Sequence, residues 1–325
     1  TFHYEIDETD CAPGYVVKNN DDGTWTVEYA PAAFVDTDKD GVYDEDVDVL
    51  YGNLDQIFAD YRTGDVHVVL TKEVVVANNK VDTDVDAHFY ITTNVEGGTT
   101  MDFLYADPED VQPYNCVQNM DIAENVTLNV KYFTIYGNFN LKGTVNAFYP
   151  FIIAANVNIA EDALFNQNVE GVNSEAIQIK DGAVVTVEGK VEAKYINLYK
   201  SDSYTGEQGA CLSVTGANAE VNVSSIDLWK GETLLIVENG AKFKANSIKA
   251  SRGGSIEVDG ATIDAAIRLG HDTTDETTLT ASGTCILGQI TLATLGSKVV
   301  GPEGFEVVSG VNFVRDLAAS FSNFF

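Results

Sequence analysis

Acidic side chains are concentrated in residues 36–48, which hold seven Asp or Glu residues and one Lys. Alternating carboxylates at the start of a loop, with a glycine at the sixth position, form the spacing by which protein loops surround calcium. Without a bound cation these charges would repel one another. The sequence therefore predicts a structural calcium site, with a solvated acidic linker as the alternative. The predicted ligands are the carboxylates of Asp36, Asp38, Asp40 and Asp44 and the backbone carbonyl of Val42.

The last part of this loop departs from the helix-loop-helix calcium pattern. Val47 stands at the twelfth position, where a bidentate Glu is expected, and no helix precedes the loop. Asp46 or Asp48 could complete the coordination shell instead. The loop resembles those of dockerins and thrombospondin type 3 repeats, and this resemblance implies calcium. We expect the ion to fix the N-terminal element to the domain that follows.

A second group with possible chemistry is Asp227, Lys249 and Arg268. Each is the middle residue of an "Ile-x-apolar" triplet whose outer residues we expect to point inward, so all three should stack on one outer face. A carboxylate beside two bases is the type of group that neutralises a uronate and abstracts a proton. The alternative is a salt-bridged solvent face, since only one acid is present.

Aromatic side chains form a third candidate. Tyr199 and Trp229 follow two of the same triplets at equivalent positions, each before a lysine. Flat aromatic rings on a protein surface suit sugar rings or a protein partner. The alternative is that both rings pack under the polar loop 201–210.

The elements that position these residues repeat along the chain. The "Ile-x-apolar" triplets begin at intervals of 19, 30, 22, 19 and 23 residues, and Gly-centred turns recur in phase with them. Two markers with a shared period near 20 residues are typical of a solenoid. Because the repeats contain only short strands, we predict an all-β protein, a right-handed parallel β-helix. The triplets start at residues 177, 196, 226, 248, 267 and 290.

The predicted organisation has three parts. Residues 1–50 form an N-terminal β element, with a hairpin around residues 19–23 and the acidic loop. Residues 51–310 form the solenoid and begin with a short capping helix at residues 53–62, for which Asn53 is the predicted N-cap. Residues 311–325 are apolar and aromatic, and form a C-terminal cap or docking segment.

The N-terminal residues also resemble a known kind of module. Residues 14–27 read GYVVKNNDDGTWTV, a helix follows, and residues 65–74 read DVHVVLTKEV. This order is similar to repetitive β-helix modules of large secreted bacterial surface proteins, although residues 20–23 and 65–66 depart from the NGDG and GDT patterns. The match spans residues 14–75. It implies an adhesin-like surface role and no catalytic residues.

Composition limits the remaining choices. The formal net charge is −31, and residues 1–115 carry −21 of it. Such a charge disfavours nucleic acid and anionic lipid as partners. The sequence contains no stretch of about 18 apolar residues, so we predict no transmembrane helix. The four Cys lack zinc-site spacing, which leaves disulfides open. Acidity, few lysines and the Asp-rich loop favour an extracellular or cell-surface location.

These observations lead to one functional hypothesis and two alternatives. We predict a non-enzymatic, calcium-stabilised structural or adhesive surface protein. Its partners would be further copies of itself, in a filament or surface layer, or a cell-surface glycan or protein. The alternatives are a carbohydrate-active β-helix enzyme, a lyase or hydrolase using Asp227, Lys249 and Arg268, and a glycan-binding module using Tyr199 and Trp229.

Overall fold

The protein is a parallel β-solenoid of about nine turns with a single α-helix among the residues described. This confirms the predicted all-β parallel β-helix, and its right-handedness stays a prediction. The computed structural model describes residues 15–20, 24–76, 86–103, 115–117, 119–131, 133–148, 151–167, 176–271, 276–294, 296–302, 306–308 and 313–315. Residues 1–14, residues 21–23 of the predicted hairpin and most of the predicted segment 311–325 lie outside this part of the chain.

Each turn contributes strands to three parallel ladders, which form the walls of the solenoid. The first ladder is one continuous parallel sheet. Its strands are Thr63–Leu70, Asp86–Thr93, Asn119–Ile122, Phe139–Leu141, Val157–Ile159, Val184–Val187, Cys211–Thr215, Leu234–Glu238, Ser255–Asp259, Thr278–Ser282 and Lys298–Val300.

The second and third ladders share one larger sheet, because four long strands run through both walls. These shared strands are Lys190–Tyr199, Glu220–Trp229, Lys242–Ser251 and Thr262–Leu269. The second ladder also contains Val74–Val75, Thr99–Phe103, Val126–Val130, Thr144–Ala147, Leu164–Asn166 and Ile286–Leu287. The third ladder also contains Asn115–Val117, Phe133–Ile135, Phe151–Ile153, Ile177–Lys180 and Ile290–Leu292.

The core is a column of inward-facing apolar side chains. In the third ladder, the isoleucines of the six triplets pair in register from one strand to the next and are at most 4% exposed. Burial of each such side chain stabilises the fold by about 1.5–3 kcal/mol relative to exposure. The thiols of Cys211 and Cys285 are free and buried in this core, and burial raises the pKa of Cys211 to about 11.

The N-terminal end of the solenoid is covered by antiparallel strands and the helix. Ala33–Val35 pairs with both Val49–Tyr51 and Thr63–Leu70, the first solenoid strand. The helix Leu54–Asp60 begins after Asn53, whose side chain accepts a hydrogen bond from the Gln56 N–H at 2.9 Å, as predicted. The buried ring of Phe58 meets the Phe89 ring edge-on and the Phe103 ring at a tilt. The helix therefore covers the open end of the core.

Antiparallel strands also occur at the two ends of the described chain. The predicted hairpin is confirmed: Tyr15–Asn19 pairs with Trp25–Tyr29. At the other end, Glu306–Val308 pairs with Lys298–Val300, and Phe313–Arg315 pairs with Ile290–Leu292. This last contact places part of the predicted C-terminal cap against the final turn.

Candidate functional sites

The acidic loop joins the two strands that cover the N-terminal end. It leaves Ala33–Val35 and returns at Val49–Tyr51, and the Asp36 N–H donates to the His67 carbonyl of the first solenoid strand at 2.9 Å. Gly41 has a φ of +80°, the left-handed conformation that glycine adopts readily. The glycine at the sixth position of the loop therefore has a backbone conformation that few other residues would adopt.

Three of the predicted carboxylates converge. Asp36, Asp38 and Asp40 each place one oxygen within 4.8 Å of the others. Asp36 is 5% exposed, and its two oxygens accept hydrogen bonds from the Lys39 and Gly41 N–H groups at 2.7 and 2.9 Å. Asp38 and Asp40 are exposed. This arrangement offers a hard cation three carboxylate oxygens on one side of the loop.

Electrostatics in the group favour an added positive charge. Partial loss of water contact raises the pKa of Asp38, and the negative charge of Asp40 raises it further. A raised carboxyl pKa means that the ionised form is disfavoured by its surroundings. A cation between these side chains would remove that penalty.

The remaining loop residues have different positions. Asp44 is outside the group of converging carboxylates and accepts a hydrogen bond from the Asp46 N–H at 2.9 Å. Val42 donates its N–H to Asp40 at 2.7 Å. Asp48 is 7% exposed and accepts from the Thr37 and Asp44 N–H groups at 2.8 and 2.9 Å. Asp48 therefore connects the beginning of the loop to its end through hydrogen bonds within the loop.

The second predicted group, Asp227, Lys249 and Arg268, lies on neighbouring strands in the order that the triplets predict. Asp227 lies directly opposite Lys249, and Lys249 lies directly opposite Arg268, on neighbouring strands of the third ladder. The Lys249 ammonium is 3.9 Å from an Asp227 oxygen. The two side chains are 57% and 42% exposed, and Arg268 is exposed. The predicted stacking is confirmed, and the role of the three residues stays a prediction.

The aromatic pair lies in the same ladder: Trp229 is two residues after Asp227 on its strand, and Tyr199 is at the equivalent position of the preceding turn. Tyr199 is directly opposite Trp229, and both side chains are half-buried. The Arg252 guanidinium lies over the Trp229 ring at 4.7 Å, and the His271 ring meets it edge-on at 6.3 Å. Arg252 and His271 were not identified from sequence, although both follow the third ladder at positions equivalent to Lys230.

A polar pocket adjoins this corner. Its wall includes the loop that starts at Lys200, the side chain of Tyr204 and the turn at Lys230. Two ion pairs join the loop to that turn, Lys200 with Glu232 and Lys230 with Asp202. The loop is thus fixed beside the aromatic pair.

A stack of rings on the first ladder was also missed from sequence. Tyr90 stacks on His67 with centroids 4.5 Å apart and on His88 at 4.4 Å. The His88 Nε2 is 2.8 Å from an Asp121 oxygen. Burial lowers the pKa of His67, and the nearby positive charge of Lys39 lowers it further. The signal was the separation of 23 residues between His67 and Tyr90, which is one turn at this point of the solenoid.

Comparison of the chain with family models, with curated proteins and with solved structures finds no match. The resemblance of residues 14–75 to bacterial surface modules therefore stays a prediction. Within the described residues, no helix has the length and apolar character needed to cross a membrane.

Proposed function

We propose that this chain is a non-catalytic structural or adhesive protein of the cell exterior, and that calcium stabilises the N-terminal end of its solenoid. The observation that carries the proposal is the convergence of Asp36, Asp38 and Asp40 within 4.8 Å. The loop that holds them links both strands of the N-terminal cap. An ion there would hold the cap on the first turn.

Calcium binding is tested by thermal unfolding of the purified chain with calcium or with chelator, together with titration calorimetry. A ligand at 100 times its dissociation constant stabilises the folded state by about 2.7 kcal/mol. We expect a higher Tm in calcium, and a loss of this increase when Asp38 and Asp40 are both changed to Asn.

The matched control is Glu45→Gln, since Glu45 is an exposed acid of the same loop outside the converging group and is not a predicted ligand. We expect this variant to keep the response to calcium. An unchanged Tm and no binding heat for the parent chain would overturn the calcium proposal.

The structural role proposed here includes assembly of copies of the chain into a filament or surface layer. Copies could pair end to end through the outer strands at the described ends, Val49–Tyr51 and Glu306–Val308. Each of these strands has three residues, so the backbone hydrogen bonds between two copies would be few. Electron microscopy and light scattering over a range of protein and calcium concentrations test assembly. Particles of constant monomer mass under all conditions would contradict it.

Glycan binding is the second candidate function, supported by the opposed Tyr199 and Trp229 and the polar pocket beside them. The enzyme alternative relies on Asp227 as the single carboxylate of its row, whereas hydrolysis of glycosides uses two carboxyl groups. Release of new reducing ends from polysaccharides by the purified chain would favour the enzyme over the binding protein.

A further inference from the structure

The outer face of the third ladder is unusually basic for so acidic a chain. The interval 180–268 holds ten Lys or Arg and twelve Asp or Glu residues, but its third-ladder positions carry Lys180, Lys249 and Arg268 against Asp227 alone. Lys249 and Arg268 point outward from adjacent strands, and Lys180 pairs with Tyr199 in the neighbouring row. We call the middle residues of the six triplets, which lie opposite one another on neighbouring strands, the Lys249 row. Asp227 is the single acid among its described members. The face therefore differs in sign from the protein as a whole.

Two of these cations are held in an unfavourable arrangement. Lys249 and Arg268 are directly opposed, about 4.8 Å apart along the solenoid, and like charges in that relation are destabilising. Asp227 compensates poorly, because its nearer oxygen is 3.9 Å from Lys249 and makes no hydrogen bond among the described residues. An anion bridging Lys249 and Arg268 would relieve the repulsion.

Backbone strain marks the adjoining corner. Lys230 and Arg252 have φ values of 81° and 52°, in the left-handed region that non-glycine residues rarely adopt. Left-handed backbone of this kind recurs at corners of the solenoid, including those at Asp181, Glu232 and Asn239. Here it places the Arg252 guanidinium over Trp229, beside the basic row.

We propose that this face binds a linear acidic polysaccharide, a chain of uronate sugars, lying along the solenoid axis. The uronate carboxylates would bind Lys249 and Arg268. The planar guanidinium of Arg268 can donate two parallel hydrogen bonds to one carboxylate. The sugar rings would pack against Tyr199 and Trp229. The inference deepens the adhesive function proposed above and rests on it, because it names the surface that the protein would adhere to.

Charge complementarity selects this ligand over the other candidates. A neutral glycan would use the aromatic rings and leave the Lys249–Arg268 repulsion in place. An acidic protein segment, including residues 36–48 of a second copy, would use the charges and has no need of the flat rings. Repulsion from the acidic N-terminal third is screened, since the Debye length at physiological ionic strength is about 8 Å and several turns separate the two regions.

The test is calorimetric titration of the full chain with a galacturonic acid hexamer. We expect saturable binding that weakens at least fivefold between 50 and 300 mM NaCl. The same experiment uses a neutral glucose hexamer and a short polyglutamate as comparison probes, and both should bind at least tenfold more weakly. Lys249→Gln with Arg268→Gln, and separately Trp229→Ala, should each weaken hexamer binding at least tenfold.

The matched control is Lys190→Gln with Lys242→Gln, which removes two exposed lysines from the second ladder. It should change the affinity by less than twofold, and circular dichroism checks that every variant folds. Equal binding of the neutral hexamer or of polyglutamate would overturn the proposal, as would an equal loss in the control.

Absence of hexamer binding overturns this inference alone if calcium still raises the Tm. Hexamer binding without a calcium response overturns the calcium proposal alone.

Discussion

Two aspartates of the acidic loop have different physical roles although the sequence presents them alike. Asp36 is buried, and both of its oxygens accept backbone N–H groups, so it organises the loop with or without an ion. Asp38 is exposed and contributes charge to the converging group. The two residues can therefore be separated by mutation.

We expect Asp36→Asn to lower the free energy of unfolding by about 1–3 kcal/mol in chelator, because an amide nitrogen would face a backbone N–H and leave it unsatisfied. Asp38→Asn should have little effect in chelator and should reduce the stabilisation by calcium. Urea unfolding at both conditions measures the difference. Identical profiles for the two variants in chelator would show that Asp36 has no organising role.

The His67–Tyr90–His88 stack gives a residue-scale dependence on pH. Burial and Lys39 depress the pKa of His67 in the folded state, so below an unfolded pKa of about 6.5 the unfolded chain binds more protons at this site. The stability associated with neutral His67 is therefore present above that pH and is lost as the pH falls.

Comparison of the parent chain with His67→Gln checks this dependence. As the pH falls from 8 to 5, we expect the free energy of unfolding of the parent to decrease relative to that of the variant, which has no titrating ring at this position. The other titrating groups cancel in the difference if they act independently. A difference that is constant with pH would contradict the assignment.

At the scale of elements, the repeat period predicted which residues become neighbours. Strand pairing requires equivalent positions of successive turns to meet, so the triplets were enough to place Asp227 opposite Lys249 and Tyr199 opposite Trp229. The corners were not predictable in the same way. Positions such as Arg252 lie after a strand ends, where no periodicity fixes the side-chain direction.

The acidic loop shows a second limit of the sequence. Spacing identified the converging carboxylates of Asp36, Asp38 and Asp40. It could not show that Asp48 accepts two backbone N–H groups, or that Asp44 lies outside the group. Those contacts depend on how both ends of the loop join the cap strands, which is a property of tertiary structure.

The N-cap of the helix Leu54–Asp60 gives an element-scale prediction. Asn53→Ala removes the acceptor of the Gln56 N–H and should lower the free energy of unfolding by about 1 kcal/mol. Gln56→Ala is the control, because it keeps the N–H and changes only an exposed side chain. Chemical denaturation measures both, and an equal loss in the two variants would argue against the cap.

At the scale of the whole molecule, charge is distributed unevenly along a quasi-linear fold. The first 115 residues carry −21 of the total −31, and the turns of a solenoid follow chain order along its axis. In a solenoid each turn contacts chiefly its neighbours, so this repulsion acts on the N-terminal turns and their cap. The C-terminal half instead carries the basic face.

Salt should therefore stabilise the chelated protein. Raising NaCl from 10 to 150 mM shortens the Debye length from about 30 to about 8 Å, which weakens repulsion among the carboxylates, and we expect the Tm to rise. The increase should be smaller with calcium bound, because the ion neutralises part of the charge, and smaller near pH 4, where carboxylates begin to protonate. Scanning calorimetry across these conditions measures the slope of Tm against salt. A Tm that falls with salt would mean that favourable ion pairs, such as Lys200 with Glu232, outweigh the repulsion.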